Sequence, residues 1–213
     1  MHIPDGILPV AVSASGYAIA GVATWYSLYK INKKEDPRKE IPKASLLTAA
    51  FFVASLIQIP IPPASVHITL IGLMGALLGF YSFPAILIGL FFQAVMFQQG
   101  GLTTLGINAT IMGVPALLSY FLFTHGKGFL AKNSAFIRGL LGFSVGVLGA
   151  GIAVILFYFT VITFIPANID IVAERTAVYA LAIAHLPLIV LEGVFTASLI
   201  GYFNRVKPEM LED

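Results

Sequence analysis

From Leu8 to Phe203 this chain is a succession of apolar runs about as long as a membrane is thick, and that pattern removes most folds from consideration. A helix needs about 20 mainly apolar residues to cross the hydrocarbon core. Clear runs of this kind lie at about Leu8–Ile31, Ala44–Ile61, Leu105–Phe123, Arg138–Phe164 and Ala177–Phe203, and a further apolar region, Ile68–Phe97, is interrupted at Ser82-Phe83-Pro84. Composition agrees: 58% of residues are hydrophobic and 10% charged, where a soluble domain carries roughly a quarter charged. The expectation is an all-α, polytopic membrane bundle forming one domain over residues 1–213, in the cell membrane. With no cysteine, disulfides and thiolate metal sites are excluded.

Charge placement suggests an orientation. Lys30, Lys33, Lys34, Arg38, Lys39 and Lys43 crowd the first connection, whose basic stretch 32–43 the positive-inside rule places in the cytoplasm. If Ile68–Phe97 crosses twice, with a turn before Pro84, Lys127, Lys132, Arg138, Arg205 and Lys207 join them and only Arg175 faces out. The expectation is therefore seven spans, amino terminus outside, carboxyl terminus cytoplasmic. No basic leader region with a cleavage site is evident at the start.

That orientation gives weight to the opening, Met1-His2-Ile3-Pro4-Asp5-Gly6. The Met1 α-amine, the His2 backbone nitrogen and the His2 imidazole Nδ1 can close a five- and a six-membered chelate ring on one ion. Such donors lie nearly in one plane, which suits Ni(II) or Cu(II). Read otherwise, His2 is an ordinary residue at a frayed terminus. A proline-initiated turn at Pro4 and Asp5 would fold residues 1–7 back over the bundle as an external metal-binding segment.

A fourth donor could come from His67, presented on the proline-stiffened stretch Ile59–His67. A surface or simply hydrogen-bonded histidine is the other reading. The glycine-rich stretch Gln98–Asn108 could line the site, with Gln98, Thr103, Asn108 and also Asp5 hydrogen-bonding the ligands into place. His125 reads as a solvated loop residue. His185 and Glu192 share a face of the last run, seven residues apart. Ionisable groups in a membrane tend to face the bundle interior or a water-filled cavity. His185 could support the ligands, and Glu192 could be structural or functional. Neither a phosphate-binding loop nor His-Glu-x-x-His is present. Small residues four apart at Ser45/Ala49, Ala50/Ala54 and Gly142/Gly146 would let helices approach closely, within the bundle or against another subunit.

Four stretches in order carry a resemblance over nearly the whole chain: Met1–Gly6, Pro62–His67, Gln99–Asn108, and His185-Leu186-Pro187 with Glu192-Gly193. The chain resembles the metal-binding membrane subunit (S component) of energy-coupling-factor nickel and cobalt transporters, the NikM/CbiM family. The resemblance implies that Met1, His2 and His67 hold the ion, Ni(II) or Co(II), and that the protein is a receptor rather than an enzyme. It also implies partners: a transmembrane coupling (T) subunit, paired cytoplasmic ATPases and room for a small accessory membrane subunit. No nucleic-acid partner is expected. Many cobalt-type members carry a Gly-Gly-Thr-Ser-type loop before the second histidine. Pro63-Ala64-Ser65-Val66 stands there instead, which tilts the expectation to nickel. The competing expectation is a self-sufficient secondary transporter with His185 and Glu192 as a cation or proton relay.

Overall fold

A computed structural model describes residues 2–61, 64–130, 135–164 and 171–211. Helices α1 (Val10–Ile31) and α2 (Ile41–Leu56) lead to a two-stranded hairpin, β1 (Gln58–Ile61) and β2 (Ala64–His67). Then come α3 (Ile71–Leu78), a 3-10 turn at Gly79–Tyr81, α4 (Ser82–Phe97), α5 (Leu105–Leu130), α6 (Ala135–Thr163), α7 (Ile171–Val206) and a final 3-10 turn at Pro208–Leu211. The proline-rich stretch is thus paired backbone. Its antiparallel register sets Gln58 opposite His67 and Ile61 opposite Ala64. Pro62 and Pro63 lie outside the described residues.

The expectation of seven spans is corrected. Among the described residues, four helical stretches are long and apolar enough to cross a membrane: Ile71–Phe97, Leu105–Lys127, Phe136–Thr163 and Ala182–Val206. Helix α1 has the length, but Ser13, Ser15, Gly16, Thr24 and Ser27 dilute its hydropathy. Helix α2, at 16 residues, is short. The region expected to cross twice counts as one apolar stretch. It bends at Gly79, whose φ of +54° ends α3. Pro84 falls instead in the first turn of α4, where a missing amide donor costs nothing. The orientation argued from seven spans loses that support.

Helix α3 is the centre of the bundle. All eight of its residues are buried, and it packs on α5, α6 and α7. Close approach is made by glycine. A Cβ on Gly75 would sit 2.1 Å from the Ala116 carbonyl oxygen, and one on Gly149 would sit 2.6 Å from the Gly72 nitrogen. The Gly142/Gly146 stripe is used the same way, against Ala197 and Glu192–Gly193 of α7. At one end of the bundle, Tyr81 donates to the Pro37 carbonyl at 2.5 Å. There the 34–43 connection meets the 207–210 tail. At the other end the first turn of α5 lies against α1 around Gly16 and Tyr17.

That last contact yields a prediction. A Cβ on Gly16 would lie 2.6 Å from the Ile107 nitrogen, whereas one on Gly21 would meet nothing within 4 Å. Gly16→Ala should cost about 1–3 kcal/mol through overpacking, and Gly21→Ala should be neutral or gain up to about 1 kcal/mol from helix propensity. Thermal unfolding of the two variants in detergent checks this. Equal midpoints would show that α1 does not seat against α5.

Candidate metal site

Residues 2–8 fold back into the bundle because the main chain there is offered better partners than water. Ile3 is 1% exposed. Its amide donates to Asn108 Oδ1 at 3.0 Å, and its carbonyl accepts from Asn108 Nδ2 at 3.0 Å and from Thr104 Oγ1 at 2.6 Å. One asparagine side chain thus satisfies both polar groups of a buried peptide residue. Two residues on, Asp5 accepts from the Thr103 amide at 2.9 Å, the Thr103 hydroxyl at 2.5 Å and the Leu102 amide at 3.2 Å. The Thr103 hydroxyl leads these bonds in holding the exposed Asp5 carboxyl below its ordinary range. The glycines follow from this wrapping. Gly100 has φ +78°, and a Cβ there would meet Asn108 Nδ2 at 3.0 Å and His2 Cβ at 3.5 Å. A Cβ on Gly101 would sit 1.9 Å from Asp5 Oδ1.

This docking carries His2 to His67. The two imidazoles stack with centroids 5.0 Å apart and planes 27° from parallel. His2 Nε2 meets Gln93 Oε1 at 2.7 Å. His67 is 4% exposed, and its Nδ1 faces the Ile68 carbonyl at 3.3 Å. A carbonyl only accepts, so that contact puts the hydrogen on Nδ1 and the lone pair on Nε2. Burial is the main cause that pushes His2 down to about 3 and His67 down to about 2. Both rings are therefore neutral near pH 7, the form that binds a metal.

Among the described residues no three His, Asp or Glu side chains cluster closely enough to hold an ion. An ion held between these two imidazoles would need further donors, and main-chain nitrogens of the terminal peptide are the expected ones. The Met1 amine, expected to be one of them, lies outside the described residues.

The other expected groups, with His125, fall in four places. Asp5, Thr103 and Asn108 anchor the terminal segment. Gln98 is exposed at the end of α4, in the left-handed conformation that terminates the helix. His185, 1% exposed on α7, has Nδ1 3.5 Å from the Tyr158 hydroxyl of α6. His125, in the last turns of α5, bonds the Phe121 carbonyl at 2.7 Å. Two residues matter more: Gln93, which sequence reasoning passed over, and Glu192, which it left open between a structural and a functional role. Gln93 is fully buried and touches His2; it is the one amide within an otherwise apolar α4, which was a signal in itself, since a buried amide needs partners. Glu192, also buried, accepts from the Thr69 amide, from the Thr69 hydroxyl at 2.9 Å and from the Leu70 amide at 3.0 Å. It thereby pins the chain just after His67.

Asn108→Ala should strand the Ile3 amide and part of the bonding of its carbonyl, at about 1–3 kcal/mol. Hydrogen exchange at the Ile3 amide should accelerate by about 10–100-fold; unchanged protection would show that other contacts hold the segment. Acid should act in the same direction. The folded pKa values of His2 and His67 lie below the ordinary 6.5, so the undocked state binds more protons. The stability they lend to docking is full above about pH 6.5 and is lost as pH falls toward about 3.

Comparison with known proteins places this arrangement. The model of the CbiM family, described as a cobalt uptake substrate-specific transmembrane region, matches residues 2–210. A Haemophilus influenzae protein provisionally named for metal transport is 31% identical over 99% of this chain and 97% of its own length. The fused nickel transport protein NikMN of Rhodobacter capsulatus is 31% identical over 99% of this chain, which spans 64% of that longer protein. A crystal structure described as a transition metal transporter superposes with a TM-score of 0.73 over 97% of this chain and 93% of the other, at 24% identity, and shares its fold.

Proposed function

The chain belongs to the CbiM family, and from that premise we propose that it is the ion-binding, multi-pass membrane subunit of a cobalt or nickel uptake system. The observation that carries this reading is the docked amino-terminal segment, which brings His2 against His67. Residues 1–7 are the capturing segment. Residues 2–7 lie at the opposite end of the bundle from the basic 32–43 connection, which the positive-inside rule assigns to the cytoplasm. The ion then enters from outside.

The donor set is the Met1 amine, the His2 backbone nitrogen, His2 Nδ1 and a ring nitrogen of His67. Four nitrogens in one plane favour Ni(II), with Co(II) the other candidate cargo. The subunit works as a receptor. Its sequence has no nucleotide-binding motif, so an ATP-driven system of the energy-coupling-factor type would supply the motor through a transmembrane coupling subunit and paired ATPases. The fused nickel relative from Rhodobacter is consistent with such modular assembly.

Two outcomes test the ligand set. Adding one residue before Met1 leaves every side chain in place and moves the free amine out of chelating position. Calorimetric titration with Ni(II) should then show tight binding by the native chain and its loss in the extended one; equal affinities would sink the proposal. The second outcome is pH dependence. Both imidazoles are already neutral at pH 5, so the proton shed on binding comes from the α-amine, whose ordinary pKa is near 8. Between pH 8 and pH 5 affinity should fall by roughly 500-fold from the amine alone, and further if the amide also deprotonates. Equal affinity at both values would exclude the amine as a ligand.

A further inference from the structure

We propose that Gln93, held by Ser55, is a positioning residue that decides which ring nitrogen of His2 faces the ion. The proposal rests on the reading of His2 as a ligand and adds what selects its donor atom. Three contacts form a chain from the site into α2. His2 Nε2 meets Gln93 Oε1 at 2.7 Å, Gln93 Nε2 meets Ser55 Oγ at 2.6 Å, and Ser55 Oγ meets the Phe52 carbonyl at 2.7 Å. Both Gln93 and Ser55 are completely buried, so a partner lost here is not replaced by bulk water.

The polarity of the chain follows from its far end. The Phe52 carbonyl can only accept, so Ser55 spends its single hydrogen there. Its oxygen is left to accept, which turns the amide NH2 of Gln93 toward Ser55 and the amide oxygen toward His2. An oxygen that only accepts requires Nε2–H, and the neutral ring then carries its lone pair on Nδ1. Only Nδ1 can close a six-membered ring with the backbone nitrogen of its own residue; Nε2 lies on the far side of the imidazole. Turning the amide over would place NH2 against Nε2, drive the hydrogen onto Nδ1 and take Ser55 from Phe52.

The relay therefore keeps nearly all of the apo protein in the competent tautomer. Without it, apparent affinity falls in proportion to the fraction that remains competent. Loss of an outer hydrogen-bond partner of a metal-bound histidine typically lowers metal affinity by 10–100-fold, and that is the fall expected for Gln93→Leu. Gln93→Glu with its buried carboxyl protonated offers a carbonyl oxygen to Nε2–H and a hydroxyl to Ser55, so it should recover most of the affinity that Gln93→Leu loses.

The experiment pairs 15N-histidine NMR of the full-length apo protein in detergent with Ni(II) calorimetry on native, Gln93→Leu, Gln93→Glu and Ser55→Ala chains. NMR reads the tautomer directly, a property that a merely packing role for Gln93 would not move. Expected are Nε2–H at His2 in the native chain, mixed tautomers in Gln93→Leu and Ser55→Ala, and restored Nε2–H and affinity in Gln93→Glu. The proposal is overturned by Nδ1–H in the native protein, or by a folded Gln93→Leu chain that keeps native affinity and tautomer. If Gln93→Leu does not fold, Ser55→Ala decides, since it removes only one hydroxyl: an unchanged tautomer and affinity there overturn the relay. A native chain with Nε2–H that binds no nickel defeats the functional reading instead, so the two failures are distinguishable.

Discussion

A short helix that begins inside an apolar bundle must find partners for its first amides, and here one carboxylate meets that need. Glu192 of α7 reaches Thr69 and Leu70 at the entry to α3. In a membrane, non-helical backbone is tolerated only where protein satisfies it. Without this contact, the eight buried residues of α3 would start from a segment with orphaned donors. With it, α3 can lie at the centre of the molecule, and the glycines at 72, 75, 146 and 149 let α5, α6 and α7 close around it. Because Thr69 is only two residues past His67, the same contact fixes where the histidine stands.

The amino-terminal segment solves a matching problem from the other side. A free chain end is ordinarily mobile, and fraying would scatter a chelating dipeptide. Asn108, Thr104 and Thr103 replace water for the main chain of Ile3 and the side chain of Asp5. Burial of Ile3 and Leu8 adds apolar surface to the seal. On the proposed reading, two tethers of opposite kind meet at the ion. Asparagine and threonine hold the segment bearing His2, and a carboxylate holds the strand bearing His67.

How much of this was legible in the sequence depended on whether the signal was local. The apolar runs, the terminal dipeptide and the Gly100-Gly101 pair stand out because their meaning lies in neighbouring residues. The span count failed where hydropathy alone stands in for environment. Helix α1 is too diluted by small polar residues to score as a span, and α3 is apolar because protein covers it on every side. The break in the third apolar region was sought at Pro84, but a glycine in positive φ makes the bend five residues earlier. Gln93 and Glu192 gain their roles from residues 91 and 123 positions away, which no window of sequence contains. Gln93 was nonetheless visible as the one amide in an apolar helix, a pattern that asks for a partner, and Glu192 stood out as a carboxylate in the last apolar run, its partners unread.

The same geometry weighs against a relay through His185 and Glu192. A relay residue has to exchange partners during its cycle, and both oxygens of Glu192 accept from main-chain amides at the start of α3. Releasing them would leave buried donors unsatisfied, at about 1–3 kcal/mol each, and would loosen the central helix. Glu192 is therefore built as a fixed strut. If the ion stabilises the docked segment by binding only that state, then tighter capture means a stiffer latch. The stiffness that makes a good receptor also opposes release. Work from a partner subunit would be the physical complement of such a site, and the ATP-driven arrangement proposed above would supply it.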